Sequence, residues 1–309
     1  MGIRETIAVF FMNDVLIVGG DSTIGSRLVA FFEADGNSVL STTCFQSNVN
    51  ERCLFLDLSD DMKHWPILPH SIKTVIICAA ITSQEQCAND PEFSRRVNVK
   101  GSVALATLMV KAGAFVVFLS SNAVFNGNKA FAKSFDPVDP QNEYGRQKAE
   151  AEDQLLKFGS KVAIVRFSKV ITPEMPLLKC WIKELKAGNV IHPFSDMVIS
   201  PVPISLAVSV IQKITKRQIP GIFQLSSSQD VTYSDLATHI ALKLNFNKKL
   251  IHPISFRETG ITYAPKNTTL DCSRLSELDI LIPNIWSGVD ETFGLMKIPK
   301  KTKHIGACN

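Results

Sequence analysis

The chain has 309 residues, 45% of them apolar and 20% charged, which is enough to bury a sizeable core and excludes a disordered chain. Its longest apolar run, Val75 to Ile81, is seven residues, against the roughly 20 that a membrane-spanning helix needs, so no membrane partner is expected. The net charge of +4 comes from Lys297, Lys300, Lys301 and Lys303; without them basic and acidic residues balance at 29 each, which argues against nucleic acid as a partner.

In chain order, Val15-Leu16-Ile17-Val18 reads as a strand buried on both faces and closed by Gly19-Gly20. Ile24, Leu28, Val29 and Phe32 recur at helical spacing up to Gly36. Strands follow at Val39-Leu40, Cys53 to Leu56 and Val75 to Cys78, then a helical stretch over 92–112 and a strand over Phe115 to Leu119. A charged helix from Glu143 to Phe158 leads to the strand Val162 to Val165. Alternation of this kind predicts an α/β fold, a Rossmann-type doubly wound parallel sheet, over residues 12–170. Prolines 173, 176, 193, 201 and 203 then break the chain. The stretch 198–227 reads as a helix and strand returning to the sheet. Residues 171–197 and 228–296 are expected to form a smaller, discontinuous C-terminal substrate-binding domain.

Residues 1–11 and 297–309 read as flexible ends, with Met12 opening the folded part. Met1 to Thr6 matches the myristoylation pattern, but a pattern so short matches many chains by chance. Seven scattered cysteines without any CxxC fit neither a disulfide framework nor a zinc site, and point to a reducing, cytoplasmic setting. His239 and His252 have no cysteine or carboxylate at ligand spacing, so no metal is expected.

Gly19-Gly20-Asp21-Ser22-Thr23-Ile24-Gly25 joins the first strand to the first helix. A dinucleotide pyrophosphate needs a tight turn there, a close backbone and a helix N-terminus aimed at it. Gly19 and Gly25 supply the turn and the packing, and the small Ser22 has a hydroxyl that can donate to a phosphate. An NAD site usually has Asp or Glu at the end of the second strand. Here Ser41-Thr42-Thr43 stands there, with no acid before Glu51. That favours NADP, with NAD as the alternative.

Tyr144 precedes Lys148 by four residues on one helix face. An ammonium near a phenol lowers its pKa, so that it can exchange a proton with a carbonyl oxygen. Ser120 and Ser121, at the carboxyl end of a strand, can offer a hydroxyl opposite.

Together these residues resemble an extended short-chain dehydrogenase/reductase, closest to the dTDP-4-dehydrorhamnose reductase type. The resemblance is carried by GGDSTIG (19–25), Asp57-Leu58, Ala79-Ala80, Val97-Asn98-Val99 with Gly101, SSNAVFNG (120–127), YGRQK (144–148) and Thr269 to Leu275. It implies Tyr144 as general acid/base, Lys148 as its pKa partner and ribose ligand, and Ser121 as the family's Ser/Thr. It further implies Asp57 and Leu58 at the adenine, Ala79 and Ala80 along the cofactor, Asn98 near the active site, and Phe167 within a segment touching the nicotinamide end.

Several positions depart from that pattern. Asn122-Ala123 replaces the Asp-Glu of a 4,6-dehydratase and the Asp-Tyr of the reductase, and Ser168-Lys169-Val170 lacks the reductase's aromatic residue. The expectation is an NAD(P)H-dependent reductase of a keto group on a nucleotide-linked sugar. The alternatives are a nucleotide-sugar 4-epimerase with the same Ser/Tyr/Lys set, or a non-catalytic NADP-binding regulatory subunit. The oligomeric state is not readable from the residues; the resemblance allows a homodimer, since the helices near 92–112 and 143–158 are those that family dimers usually pair.

Overall fold

The computed structural model describes residues 14–261 and 263–294. The expected flexible ends, the myristoylation pattern and the basic tail lie outside those residues.

In chain order the main elements are β1 (Val15–Val18), α1 (Thr23–Ala34), β2 (Val39–Thr43), β3 (Cys53–Phe55), β4 (Thr74–Ile77), α2 (Gln84–Asn89), α3 (Pro91–Arg95), α4 (Ser102–Lys111), β5 (Phe115–Ser121), α5 (Glu143–Leu156) and β6 (Val162–Phe167). Then come β7 (Val170–Ile171), α6 (Pro176–Lys186), β8 (Val198–Ile199), β9 (Val202–Pro203), α7 (Ile204–Arg217), β10 (Gly221–Leu225), β11 (Val231–Thr232), α8 (Tyr233–Lys243) and α9 (Ile285–Thr292). A π-helical turn, Arg96–Gly101, joins α3 to α4, so the stretch expected as one helix is continuous but locally widened.

Seven strands form one parallel sheet in the order β10-β6-β5-β4-β1-β2-β3. Successive side chains of a strand point to opposite faces, and here both faces are covered. Val15, Ile17, Ile76, Val117 and Val165 pack with Leu28 and Phe32 of α1 and Ile211 and Ile214 of α7. Leu16, Val18, Val75, Ile77, Phe118 and Ile164 pack on the other side with Leu105 and Met109 of α4 and Leu155 of α5. This is the expected doubly wound fold, and double coverage explains why its strands read as continuous apolar runs.

A second lobe has its own core, in which Trp181 and Leu185 of α6 meet Leu236 and Ile240 of α8 and Val289 of α9. The antiparallel pair β8–β11 belongs to it. The strand pair β7–β9 ties the exit from β6 to the entry into α7. Leu275, Leu278 and Ile280 lie in the sequence range expected for this lobe, yet they pack against the sheet side with α7. Arg274 is held there by the Ile222 carbonyl, 3.0 Å away.

Candidate active site

The strand order reverses between β1 and β4, which opens a crevice at the carboxyl ends of the sheet. Gly19 follows β1 there with φ +76°, and a β-carbon on it would stand 2.9 Å from the Ala79 backbone after β4. A β-carbon on Gly25 would lie 2.1 Å from the Gly19 carbonyl. Both positions therefore require glycine for the turn to fold against helix and strand.

Ser22 caps α1. Its hydroxyl donates to the Gly19 carbonyl at 2.7 Å and accepts from the Gly25 N–H at 3.1 Å. The hydroxyl is thus spent on the turn instead of standing ready for a phosphate. The N–H groups of Thr23 and Ile24, in the first turn of α1, have no acceptor within the helix, and both residues line the cleft. Free N–H groups at the positive end of a helix suit an anion, so the turn fits a dinucleotide pyrophosphate.

Ser41 and Thr42 lie inside β2, not beyond it, and both are buried. The Ser41 hydroxyl donates to the Arg52 carbonyl at 3.2 Å, and the Thr42 hydroxyl accepts from the Gly19 N–H at 3.2 Å. Neither is presented to a ligand, because a strand covered on both faces keeps its hydroxyls bonded internally. The acid that β2 lacks reaches its end from the turn: Thr43 donates to Asp21 at 2.6 Å.

Asp57 accepts from the N–H and the hydroxyl of Ser59, each at 2.8 Å. Leu58 beside it is buried, with Gly101 against its carbonyl. Ala79 and Ala80 are half-buried along the crevice, and Ala80 and Phe167 line the cleft. Asn98 is fully buried in the π-helical turn. It accepts from the Ile81 N–H at 2.8 Å and donates to the Ile81 carbonyl at 3.0 Å and to Gln147 at 2.8 Å. Its part is to fasten the loop after β4 onto α5, and its side chain does not face the cleft.

Ser121, the last residue of β5, and Tyr144, in the first turn of α5, stand together on the cleft wall. Burial pushes the Tyr144 phenol above its ordinary pKa, and the hydrogen bond with Ser121 acts the other way. Lys148 does not produce the expected lowering. Its ammonium is 5.9 Å from the centre of the Tyr144 ring, donates to the Leu119 carbonyl at 2.8 Å and lies 4.4 Å over the Phe118 ring. Burial lowers the Lys148 pKa to about 8, against the opposing pull of Glu152. Ser120, the other strand-end hydroxyl, is buried at the cleft wall and gives its hydrogen bond to Glu152. A protonated phenol beside a hydroxyl at the wall of a cleft is equipped to give a proton to a carbonyl oxygen.

The cleft itself has a volume of about 660 Å³ and lies between the lobes, with Met197, Tyr233, Tyr263 and Thr268 facing Ser121 and Tyr144 across it. Lys169 also lines it and has no ion-pair partner among the described residues. The residue is exposed, yet the protein packed around its ammonium displaces enough water to hold it below the ordinary value. Its position as the first cation after β6 was the one signal for it in the sequence. Arg166 and Glu152 form an ion pair behind the site, with both side chains 3% exposed. Nothing in their separate motifs announced that pairing.

A family model described as "RmlD substrate binding domain" matches residues 12–294. The chain is 26% identical over 284 residues to methionine adenosyltransferase 2 subunit beta of Xenopus tropicalis, covering 86% of this chain and 82% of that protein. It is 23% identical over 290 residues to dTDP-4-dehydrorhamnose reductase of Aggregatibacter actinomycetemcomitans, covering 89% and 96%. Among solved structures, dTDP-4-dehydrorhamnose reductase from Bacillus anthracis str. Ames in complex with NADP superposes with a TM-score of 0.79 at 21% identity, over 92% of this chain and 99% of that one. The protein MoeE5 in complex with UDP-glucose and NAD gives 0.76 at 20% identity, over 92% and 98%. At such identities the structural likeness is one of fold.

Proposed function

The chain belongs to the family of the RmlD substrate binding domain, and from that premise we propose that it is an NAD(P)H-dependent reductase of a keto group on a nucleotide-linked sugar. The observation that carries this reading is the pairing of Tyr144 and Ser121 on the wall of a cleft that also takes in the start of α1. A nicotinamide dinucleotide, when bound, supplies a hydride to the carbonyl carbon. The Thr23 and Ile24 N–H groups hold the pyrophosphate. Ser121 donates to the substrate oxygen, and the Tyr144 hydroxyl delivers the proton that completes the alcohol. Its raised pKa suits that direction, because the phenol stays protonated at neutral pH. Lys148 fixes the end of β5 through the Leu119 carbonyl and brings a positive charge beneath the site. The second lobe closes the cleft around the sugar, and Lys169 faces the substrate's negative charge.

A second reading is favoured by the match to methionine adenosyltransferase 2 subunit beta. In it the same dinucleotide fold serves as a subunit of a methionine adenosyltransferase assembly. One experiment separates the two. The purified chain is given NADPH or NADH with a panel of nucleotide-linked 4-keto sugars, and cofactor oxidation is followed by absorbance. Turnover lost on Tyr144→Phe supports the reductase. No turnover with any sugar, together with complex formation with a methionine adenosyltransferase catalytic subunit, replaces it with the second reading.

A further inference from the structure

Asp21 is the one acidic side chain of the glycine turn, and it reaches across to the neighbouring strand. Thr43, the last residue of β2, donates its hydroxyl to Asp21 Oδ2 at 2.6 Å, and the Asn48 amide donates to the same oxygen at 3.1 Å. In Rossmann domains the adenosine ribose lies at the end of β2, where an acid accepts from the 2′-hydroxyl and a cation accommodates a 2′-phosphate. Asp21 brings an acid to that place from the turn, 22 residues earlier. It forms no ion pair among the described residues, so its charge is not compensated. Arg52, the arginine nearest in sequence to the end of β2, is directed to Glu33, 3.6 Å away, and Arg27 pairs with Glu174. Cys44, next to Thr43, senses the result: burial raises its thiol pKa, and the charges of Asp21 and Asp57 raise it further. The field at the end of β2 is negative.

We infer that Asp21 reads the 2′ position of the cofactor, accepting from a free ribose hydroxyl and repelling a 2′-phosphate, and so admits NAD(H) to a site whose strand end holds nothing against NADP(H). This rests on the dinucleotide-binding part of the proposed function. A carboxylate held by two donors is pre-aimed, and although Asp21 is exposed, its repulsion of a phosphate dianion at contact distance outweighs what one neutral hydroxyl can return.

The test is calorimetric titration of wild type, Asp21→Asn and Asp21→Ser with NADPH and with NADH, without any sugar substrate. Asp21→Asn keeps the size and the contact with Thr43, so the charge is tested even if the smaller residue disturbs the turn. Thermal melts confirm that each variant is folded. The expected result is a shift of the NADPH-to-NADH affinity ratio toward NADPH by tenfold or more in both variants, with NADH weakened. A ratio that stays within twofold of wild type overturns the assignment to Asp21 and leaves the reductase reading untouched. Failure of wild type to bind either cofactor overturns the dinucleotide reading, and this inference with it.

Discussion

Lys148 gives its hydrogen bond to the Leu119 carbonyl, 2.8 Å away, and not to Tyr144, whose ring centre lies 5.9 Å from the ammonium. The cation is 2% exposed, and its pKa falls from 10.5 to about 8. That depression is worth about 3 kcal/mol. Between pH 8 and 10.5 the unfolded chain holds a proton here that the folded chain has released, so this residue makes stability rise with pH across that window. Below pH 8 both states are charged and the full cost of burial remains. Lys148→Met is therefore expected to be more stable than wild type at pH 7, by about 1–3 kcal/mol, with the advantage shrinking as pH approaches 10.5. Denaturant unfolding at a series of pH values measures it, and a variant less stable at pH 7 would show that the Leu119 bond outweighs desolvation.

Tyr144→Phe removes the proton donor and leaves the ring. Turnover should fall by about 10²–10⁴-fold, the usual worth of a placed general acid, while cofactor affinity stays unchanged. Steady-state kinetics alongside calorimetry separate the two effects. Normal turnover in this variant would move the proton to another group.

Glu152 and Arg166 form the buried pair behind the site, and Arg166 also donates to the Ser134 carbonyl at 3.1 Å and stacks over Phe125 at 4.9 Å. Glu152→Gln leaves the guanidinium without a countercharge, and should cost about 3–5 kcal/mol. Replacing both residues with apolar side chains should recover most of that loss, because the two desolvation penalties vanish together. Equal losses in the single and double variants would contradict this account.

Lys169 lines the cleft as a cation without an ion-pair partner among the described residues. Lys169→Gln should raise the KM for an anionic substrate by about tenfold, the worth of one charge-assisted hydrogen bond, with cofactor binding unaltered. If KM holds steady, Lys169 faces solvent when substrate is bound.

The sheet was readable because its strands are short apolar runs set between glycines and helical repeats; Val15 to Val18 and Ile24 to Phe32 already spell a strand, a turn and a helix. The candidate site was readable where a residue's place in its own element sets its position, as with Ser121 at the end of β5 and Tyr144 at the start of α5. It was not readable where the partner is distant in sequence. Ser41 and Thr42 looked like the end of a strand because hydroxyl-bearing residues are common there, yet Arg52 and Gly19 supply the partners that bury them. Asn98 looked like a site residue by its motif, and only the fold shows it bonded to Ile81 and Gln147. The contact between Asp21 and Thr43 likewise exists only once β1 and β2 lie side by side.

The backbone leaves the sheet core after Phe167, rejoins it at Val202, departs again beyond Leu225, comes back at Leu275 to Ile280 and leaves once more for α9. Two bodies stitched by so many passes cannot swing apart on a single tether, so opening of the cleft is restricted to small rotations about that seam. A gene fragment ending near residue 170 would also lack the strand that shields β6, exposing a bare sheet edge to its neighbours in solution. Each lobe is built from segments that the chain reaches only after contributing to the other.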